Sequence, residues 1–127
     1  MTNWLIVFVG GGFGSVFRYL LAYKLNYTSQ EYMIIFPYAT FFANVISCFI
    51  LGILIQKQFS QTLHENYWLL LGTGFCGGFS TFSTFAYEIY IYVHKGQLLT
   101  GICYTGISLA TGILALVIGI KFYQTFI

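Results

Sequence analysis

Polar and apolar positions along this chain divide it into four long apolar runs joined by short polar connections. Ionisable side chains are rare within the runs, and the first run contains only Arg18. Each run is long enough for the ~20 helical residues that cross a hydrocarbon core of about 30 Å. The pattern therefore predicts an all-α membrane protein made of a single domain, residues 1–127. Its four transmembrane helices are expected at approximately 4–23, 33–55, 67–93 and 97–121.

Composition agrees with this pattern and narrows the class of protein. Hydrophobic residues make up 58% of the chain and charged residues only 6%, whereas soluble domains carry roughly 25% charged residues. The short connections leave little room for a soluble catalytic module. The three cysteines fall in three different runs, which is typical of small buried side chains. We expect a multi-pass protein of the cell (inner or plasma) membrane, surrounded by lipid bilayer, that is not an enzyme and has no nucleic-acid partner.

A segment of twelve residues in the third run, GFCGGFSTFSTF from Gly74 to Phe85, is unusual for a lipid-spanning helix. Its paired glycines, Gly77 and Gly78, weaken a helix, and the hydroxyl side chains that follow can satisfy freed backbone groups. In hydrocarbon such a break is tolerated only where protein or a water-filled cavity surrounds it. The segment predicts a third helix broken mid-membrane at the glycine pair, with carbonyls near Gly77 to Ser80 free to bind a monovalent cation. A Cβ at Gly77 is expected to clash or to force a different backbone angle.

Small residues recur at the spacing that lets helices approach closely. The motif Gly10-x-x-x-Gly14 lies in the first run and Gly74-x-x-x-Gly78 in the third. Both are predicted to be helix-packing sites. Four short helices enclose little space for a pathway, which favours an oligomer.

Polar side chains inside the runs are expensive there, and they indicate where function lies. Two sets repeat at i, i+4 and i+7, so each set lies along one face of a helix. An interhelical hydrogen bond of roughly 0.6 kcal/mol explains a single hydroxyl, but converging stripes with a buried asparagine favour a polar pathway. The two sets are Thr40, Asn44 and Ser47 in the second run, and Tyr104, Ser108 and Thr111 in the fourth.

The groups along this pathway suit an anion. Asn44 offers two N–H donors and each hydroxyl offers one, while Phe82 and Phe85 can present the positive edges of their rings. No lysine or arginine lies mid-membrane to trap the ion. Passage is therefore favoured over tight binding.

Basic side chains give almost no signal for the orientation of the chain. Four spans place Lys57 and Lys121 on one side of the membrane and Lys24 and Lys95 on the other. Orientation normally follows an excess of Lys and Arg on the cytoplasmic side, and here the lysine count is two against two. Either the chain inserts both ways, which permits an antiparallel dimer, or one or two charges suffice to orient it.

Three motifs in chain order resemble those of the Fluc family of fluoride channels, the CrcB proteins. GGGFGSVFRY at Gly10–Tyr19 is similar to the first-helix glycine motif, and ATFFANVISCFILG at Ala39–Gly52 is similar to the second-helix pattern. GFCGGFSTFSTF is close to the third-helix motif, which is the most specific of the three. The resemblance covers nearly the whole chain.

The resemblance implies an antiparallel, dual-topology homodimer with two fluoride pathways. It also implies a structural sodium ion, not transported, on main-chain oxygens of Gly77 and Ser80. Ser80 stands where the family usually has threonine, a change that a backbone ligand survives, and Gly112 stands where some relatives have a hydroxyl. The implied pathway residues are Thr40, Asn44, Phe82, Ser83, Thr84, Phe85, Tyr104 and Ser108, with Arg18 at a vestibule.

The expected function is that of a fluoride-selective channel through which fluoride leaves the cytoplasm passively, which reduces its toxicity. A small multidrug-type exporter is one alternative, but it would want a carboxylate in the first span, and that span has none. A non-conducting membrane assembly subunit is another, since it would need only the packing glycines. Fluoride efflux from proteoliposomes distinguishes the three.

Overall fold

The computed structural model describes residues 3–27 and 36–126, and within these ranges the regular structure is entirely helical. Four helical stretches are long and apolar enough to cross a membrane: Asn3–Leu25, Tyr38–Phe59, Glu65–His94 and Leu98–Thr125. The predicted all-helical class with four candidate spans is confirmed. The predicted start of the second span, at residues 33–35, lies outside the described residues. The elements are α1 (Asn3–Tyr27), α2 (Tyr38–Phe59), α3 (Glu65–Tyr67), a π-helical segment (Trp68–Cys76), α4 (Gly77–Phe79), α5 (Phe82–His94) and α6 (Leu98–Phe126).

The first and last spans bury little of their surface within the chain. Only 11% of the most apolar window of α1 is buried, and 17% of that of α6, against 33% in each of the two middle spans. An apolar helix with so little internal contact requires an apolar surrounding, which is lipid or a second chain.

Backbone-to-backbone contacts at glycine hold α1 against the third span. A Cβ added at Gly10 would meet the Leu70 carbonyl and lie 3.1 Å from the Cα of Gly74. One added at Gly14 would meet the Phe75 carbonyl and lie 3.1 Å from the carbonyl carbon of Gly78. The two small-residue motifs therefore pack against each other, and their predicted role as helix-packing sites is confirmed.

A second pair of close glycine contacts joins α2 to α6, and the spacing of glycines in the sequence did not predict it. A Cβ added at Gly52 would meet the Leu116 carbonyl, and one added at Gly119 would meet the Phe49 carbonyl. Each glycine lies against the other helix's backbone, so α2 and α6 pack closely side by side.

The third span is interrupted at Ser80 and Thr81, not at the glycine pair. Ser80 has ψ 158° and Thr81 has φ −151°, both extended, whereas Gly77 has ordinary helical angles of φ −64° and ψ −37°. The predicted position of the break is therefore wrong by about one helical turn. A glycine is needed at position 78 for a different reason, because a Cβ there would meet the Gly11 carbonyl of α1.

The predicted clash at Gly77 is also wrong for the chain taken by itself. Outside its own helical turn, no atom of the described residues lies within 4 Å of a Cβ added at Gly77. This face of α4 is open.

Candidate ion pathway

A cavity of about 540 Å³ lies beside the interruption, between α2, the third span and α6. It is lined by apolar side chains with a few polar groups among them, the usual make-up of a binding site. Six of the residues predicted to serve as ion-binding groups line it: Asn44, Gly77, Ser80, Phe82, Phe85 and Ser108.

The Asn44 side chain takes the place of a helical partner at the interruption. Its Oδ1 accepts a hydrogen bond of 2.8 Å from the Thr81 amide, and its Nδ2 donates to the Thr81 carbonyl at 3.4 Å. A carboxamide can therefore satisfy both backbone groups of one extended residue, which keeps Thr81 stable while 7% exposed. Of the two N–H donors predicted on Asn44, one faces Thr81 and one is left for a ligand.

The Thr81 side chain then starts the next helix. Its Oγ1 accepts from the Thr84 amide at 3.3 Å and donates to Thr84 Oγ1 at 3.0 Å. The Ser83 hydroxyl lies 3.3 Å from Thr81 Oγ1. Ser83 and Thr84, both predicted to line the pathway, thus sit in the first turn of α5 as part of its cap, and the cavity is lined by residues on either side of them.

The hydrogen bonds of the Thr81 and Thr84 amides to side chains leave two backbone carbonyls without their helical donors. In an unbroken helix the Thr81 amide would bond the Gly77 carbonyl and the Thr84 amide would bond the Ser80 carbonyl. Both amides are used elsewhere, by Asn44 and by Thr81 Oγ1. The carbonyls of Gly77 and Ser80 lose their helical donors, and these residues are the two predicted sodium ligands. The Ser80 hydroxyl is occupied separately, since it donates to the Cys76 carbonyl at 2.8 Å.

The two phenylalanines of the motif form a pair at the cavity wall. Their ring centroids are 6.2 Å apart with the planes at 47°. Phe85 is 8% exposed and also packs on the Tyr104 ring at 5.2 Å, whereas Phe82 is 80% exposed. The Phe85 ring is therefore buried by its own chain, whereas the Phe82 ring contacts Phe85 and is otherwise largely uncovered.

A carboxylate that the sequence analysis did not include, Glu88, occupies the α2–α5–α6 junction. Its Oε1 accepts from the Thr40 hydroxyl at 2.6 Å and its Oε2 from the Tyr104 hydroxyl at 2.8 Å. Thr40 and Tyr104, both predicted to be pathway donors, each donate their one hydroxyl hydrogen bond to Glu88 in this arrangement. They hold the carboxylate, and neither is among the residues that line the cavity.

The sequence did contain a signal for this cluster. Thr81, Phe85 and Glu88 repeat at i, i+4 and i+7, so Glu88 shares the face of α5 that lines the cavity. A carboxylate in an apolar span is expensive and marks a functional or structural centre by default. Arg18, the predicted vestibule residue, is half-buried on α1 and does not line the cavity.

This fold and site define a small four-span membrane protein whose third span is interrupted at a polar cavity. The model of the CrcB-like protein family, whose description adds camphor resistance, matches residues 5–120. The chain belongs to the CrcB-like family, and the resemblance found in its three motifs is confirmed.

Relatives with a stated activity are similar over nearly their whole length. The chain is 39% identical over 120 residues to the fluoride-specific ion channel FluC of Gloeothece citriformis, which covers 94% of this chain and 95% of that protein. It is 41% identical over 120 residues to the FluC of Chlorobaculum tepidum, covering 94% and 92%. It is 40% identical over 113 residues to the FluC of Ignicoccus hospitalis, covering 89% and 88%.

Proposed function

We propose that this chain is a fluoride-specific ion channel of the cell membrane that lets fluoride leave the cytoplasm passively. The observation that carries the proposal is its identity of about 40% to named fluoride channels across nearly the entire chain. The cavity agrees with this function, because it offers uncharged donors and aromatic edges to a small anion. An inside-negative potential favours exit by roughly 2.3 kcal/mol per charge per 100 mV. Neither alternative, a multidrug-type exporter or an assembly subunit, is favoured by these relatives.

Fluoride efflux from proteoliposomes tests the proposal directly. Purified protein in vesicles loaded with potassium fluoride should release fluoride when a potassium ionophore dissipates the opposing potential, as followed with a fluoride-selective electrode. Vesicles loaded with chloride are the control and should retain it. Release of both anions at similar rates, or of neither, would contradict a fluoride-specific channel.

The functional unit we propose is an antiparallel homodimer with the interruption at mid-membrane depth. Three features of the single chain support it. The ring of Phe82 is 80% exposed beside a cavity, the face of α4 at Gly77 is open, and α1 is apolar with little internal contact. Ser80 and Thr81 also lie near the midpoint of the Glu65–His94 span. A second copy would cover these surfaces and give each pathway a complete wall.

A structural sodium ion at Gly77 and Ser80 is the remaining part of the proposal. Main-chain carbonyls without a helical donor are good ligands for a hard cation. The fit is supported by the hydrogen bonds of the Thr81 and Thr84 amides to side chains, because these bonds leave the two carbonyls without their helical donors. In an antiparallel dimer, two such pairs would meet at the two-fold axis. A monovalent ion suits four neutral oxygens better than a divalent one.

Sodium replacement separates a structural ion from a transported one. With a large organic cation in place of sodium on both sides of the vesicle, we expect fluoride efflux to stop or the dimer to dissociate. Ser80→Thr is the matched control and should behave as the wild type, because the ligand is a backbone oxygen. Unchanged efflux in sodium-free vesicles, or labelled sodium crossing with fluoride, would contradict this role.

A further inference from the structure

The Ser47 hydroxyl is buried in the cavity wall and unpaired. The residue is 4% exposed, and in the part of the chain that the structure describes no hydrogen-bond partner lies within reach of its Oγ. Ser108 Oγ on α6 likewise has no hydrogen-bond partner among the described residues. Ser108 lies one turn beyond Tyr104, whose hydroxyl donates to Glu88. A buried hydroxyl without a partner costs about 1–3 kcal/mol.

Other hydroxyls in these helices show how this cost is normally avoided. The side chains of Ser80, Thr105 and Thr111 each donate to the carbonyl four residues earlier on their own helix, at 2.8, 2.8 and 2.6 Å. Ser47 has the same option toward Ala43 and does not take it. The hydroxyl is therefore left without a partner in a residue that lines the cavity, and Ser108 lines the same cavity.

The level of Ser47 along the pathway follows from the packing of α2 on α6. Gly112 is the cavity-lining residue of α6 beside Cys48, whose Sγ lies 3.5 Å from a Cβ added at that glycine. Gly112 itself offers no side-chain hydrogen-bond donor at this level, and Ser108 lies one turn before it on α6. Ser47 lies one turn beyond Asn44 on α2, on the side away from Glu88, so the two hydroxyls belong to neighbouring turns of the cavity wall.

From this geometry we infer that Ser47 and Ser108 form a two-hydroxyl subsite for a small hydrated anion, between the level of Asn44 and that of Gly112. The inference rests on the proposed function and extends it to a specific binding group on α2. Each hydroxyl donates one hydrogen bond to the ion or to a water that the ion keeps. The subsite lets fluoride exchange part of its hydration shell for fixed donors as it passes between Asn44 and the open end of the cavity.

The test compares single and double variants for the dependence of efflux on internal fluoride concentration. We expect Ser47→Ala to raise the half-saturating concentration by about tenfold, the factor that about 1.4 kcal/mol produces and near the lower end for hydrogen bonds to a charged group. Ser47→Thr keeps the hydroxyl and should stay near the wild type. The double variant Ser47→Ala with Ser108→Ala should raise the half-saturating concentration by less than the product of the two single factors, because both hydroxyls bind the same ion.

Thr105→Val is the matched control, since it removes a helix hydroxyl that is already bonded to its own backbone. It should leave the half-saturating concentration unchanged. If Ser47→Ala does not fold, Ser47→Cys, which keeps the size and weakens the donor, is expected to show the same shift. A hydroxyl that only holds a structural water would change thermal stability and not the fluoride dependence, which would overturn the inference. Absence of efflux from the wild type would instead contradict the proposed function.

Discussion

At the scale of single residues, the cavity wall depends on side chains that satisfy backbone groups freed by the interruption of the third span. Asn44 bonds both polar groups of Thr81, and Thr81 Oγ1 accepts from the Thr84 amide. Each bond has two effects: it stabilises an extended residue inside an apolar span, and it withdraws a donor from a particular carbonyl. Asn44 therefore contributes to the site through the backbone as well as through its remaining N–H.

The first prediction concerns the ring edges of the aromatic pair. Phe82→Ile and Phe85→Ile each keep an apolar side chain but remove the positive ring edge, so fluoride efflux should fall at least about tenfold, as for a loss of about 1.4 kcal/mol along the path. Dimer content by gel filtration should not change. Phe59→Ile is the control, because Phe59 is 79% exposed and does not line the cavity. Wild-type efflux in both Phe82→Ile and Phe85→Ile would rule out a role for the rings.

The second prediction concerns the clamp around Glu88, which consists of the two hydrogen bonds that its carboxylate accepts from Thr40 and Tyr104. Glu88→Ala leaves the Thr40 and Tyr104 hydroxyls without an acceptor, and Tyr104 is 1% exposed. We expect a loss of about 2 kcal/mol in the free energy of unfolding, because each stranded buried hydroxyl costs about 1–3 kcal/mol before relaxation. Glu88→Gln keeps one carbonyl acceptor and should lose less. Thermal unfolding in detergent measures the order, with exposed Glu65→Ala as the control; equal stability of Glu88→Ala and wild type would contradict the clamp.

At the scale of helices, glycine sets how closely the spans approach. Gly10 and Gly14 of α1 lie against Gly74 and Gly78 of the third span, and Gly52 and Gly119 do the same for α2 and α6. In an apolar solvent, helix association has no hydrophobic driving force, so close van der Waals packing carries it. The positions of the cavity walls follow from these contacts.

The third prediction uses this contrast among glycines. Gly14→Ala and Gly119→Ala place a methyl group against a carbonyl oxygen of the neighbouring helix, and each should destabilise the protein by about 1–3 kcal/mol. Gly106→Ala is the matched control, since outside its own helical turn no atom of the described residues lies within 4 Å of a Cβ there, and alanine favours a helix. Thermal unfolding of the three variants in the same detergent checks the order. A Gly106→Ala loss as large as the other two would show that monomer packing is not the cause.

The helices could be predicted from the sequence more fully than the break between them. Spans and packing glycines follow from local patterns, and Asn44, Phe82, Phe85 and Ser108 do line one cavity. The predicted position of the break was wrong because a glycine pair is found both where a helix breaks and where helices pack closely. Gly78 is needed for packing.

What fixes the true break is long-range and invisible to local patterns. The bond from Asn44 to Thr81 joins residues 37 apart in the chain, and the bond from Thr40 to Glu88 joins residues 48 apart. No periodicity within one helix predicts either. The same limit explains why the sequence assigned Thr40 and Tyr104 to an ion when their hydroxyls are bonded to Glu88.

At the scale of the whole molecule, the charge distribution and the uncovered surfaces agree. The lysine count on the two sides of the membrane is two against two and Arg18 tips it only slightly, so the usual excess hardly favours either orientation. Copies inserted in opposite directions would bring the open face of α4 and the exposed ring of Phe82 against a second chain.

The fourth prediction is that both orientations occur in one membrane. A C-terminal reporter should be labelled from the cytoplasmic face in some copies and from the external face in others; labelling from one face only would contradict dual insertion. Two or three lysines added to the connection between α2 and α3 should lock the orientation and abolish efflux when that variant is expressed alone. Co-expression with a variant carrying lysines between α5 and α6, locked the opposite way, should restore it.

The interruption at Ser80 and Thr81 also places two helix ends of opposite polarity next to each other. A helix carries roughly half a positive charge at its N-terminus and half a negative charge at its C-terminus. The helical stretch that ends at Phe79 therefore turns its negative end toward the interruption, and α5, which begins at Phe82, turns its positive end toward it. A cation is favoured on one side of these two residues and an anion on the other. One break in one helix thus creates suitable fields for both ions of the proposed channel, without a fixed charge in the membrane that would hold fluoride back.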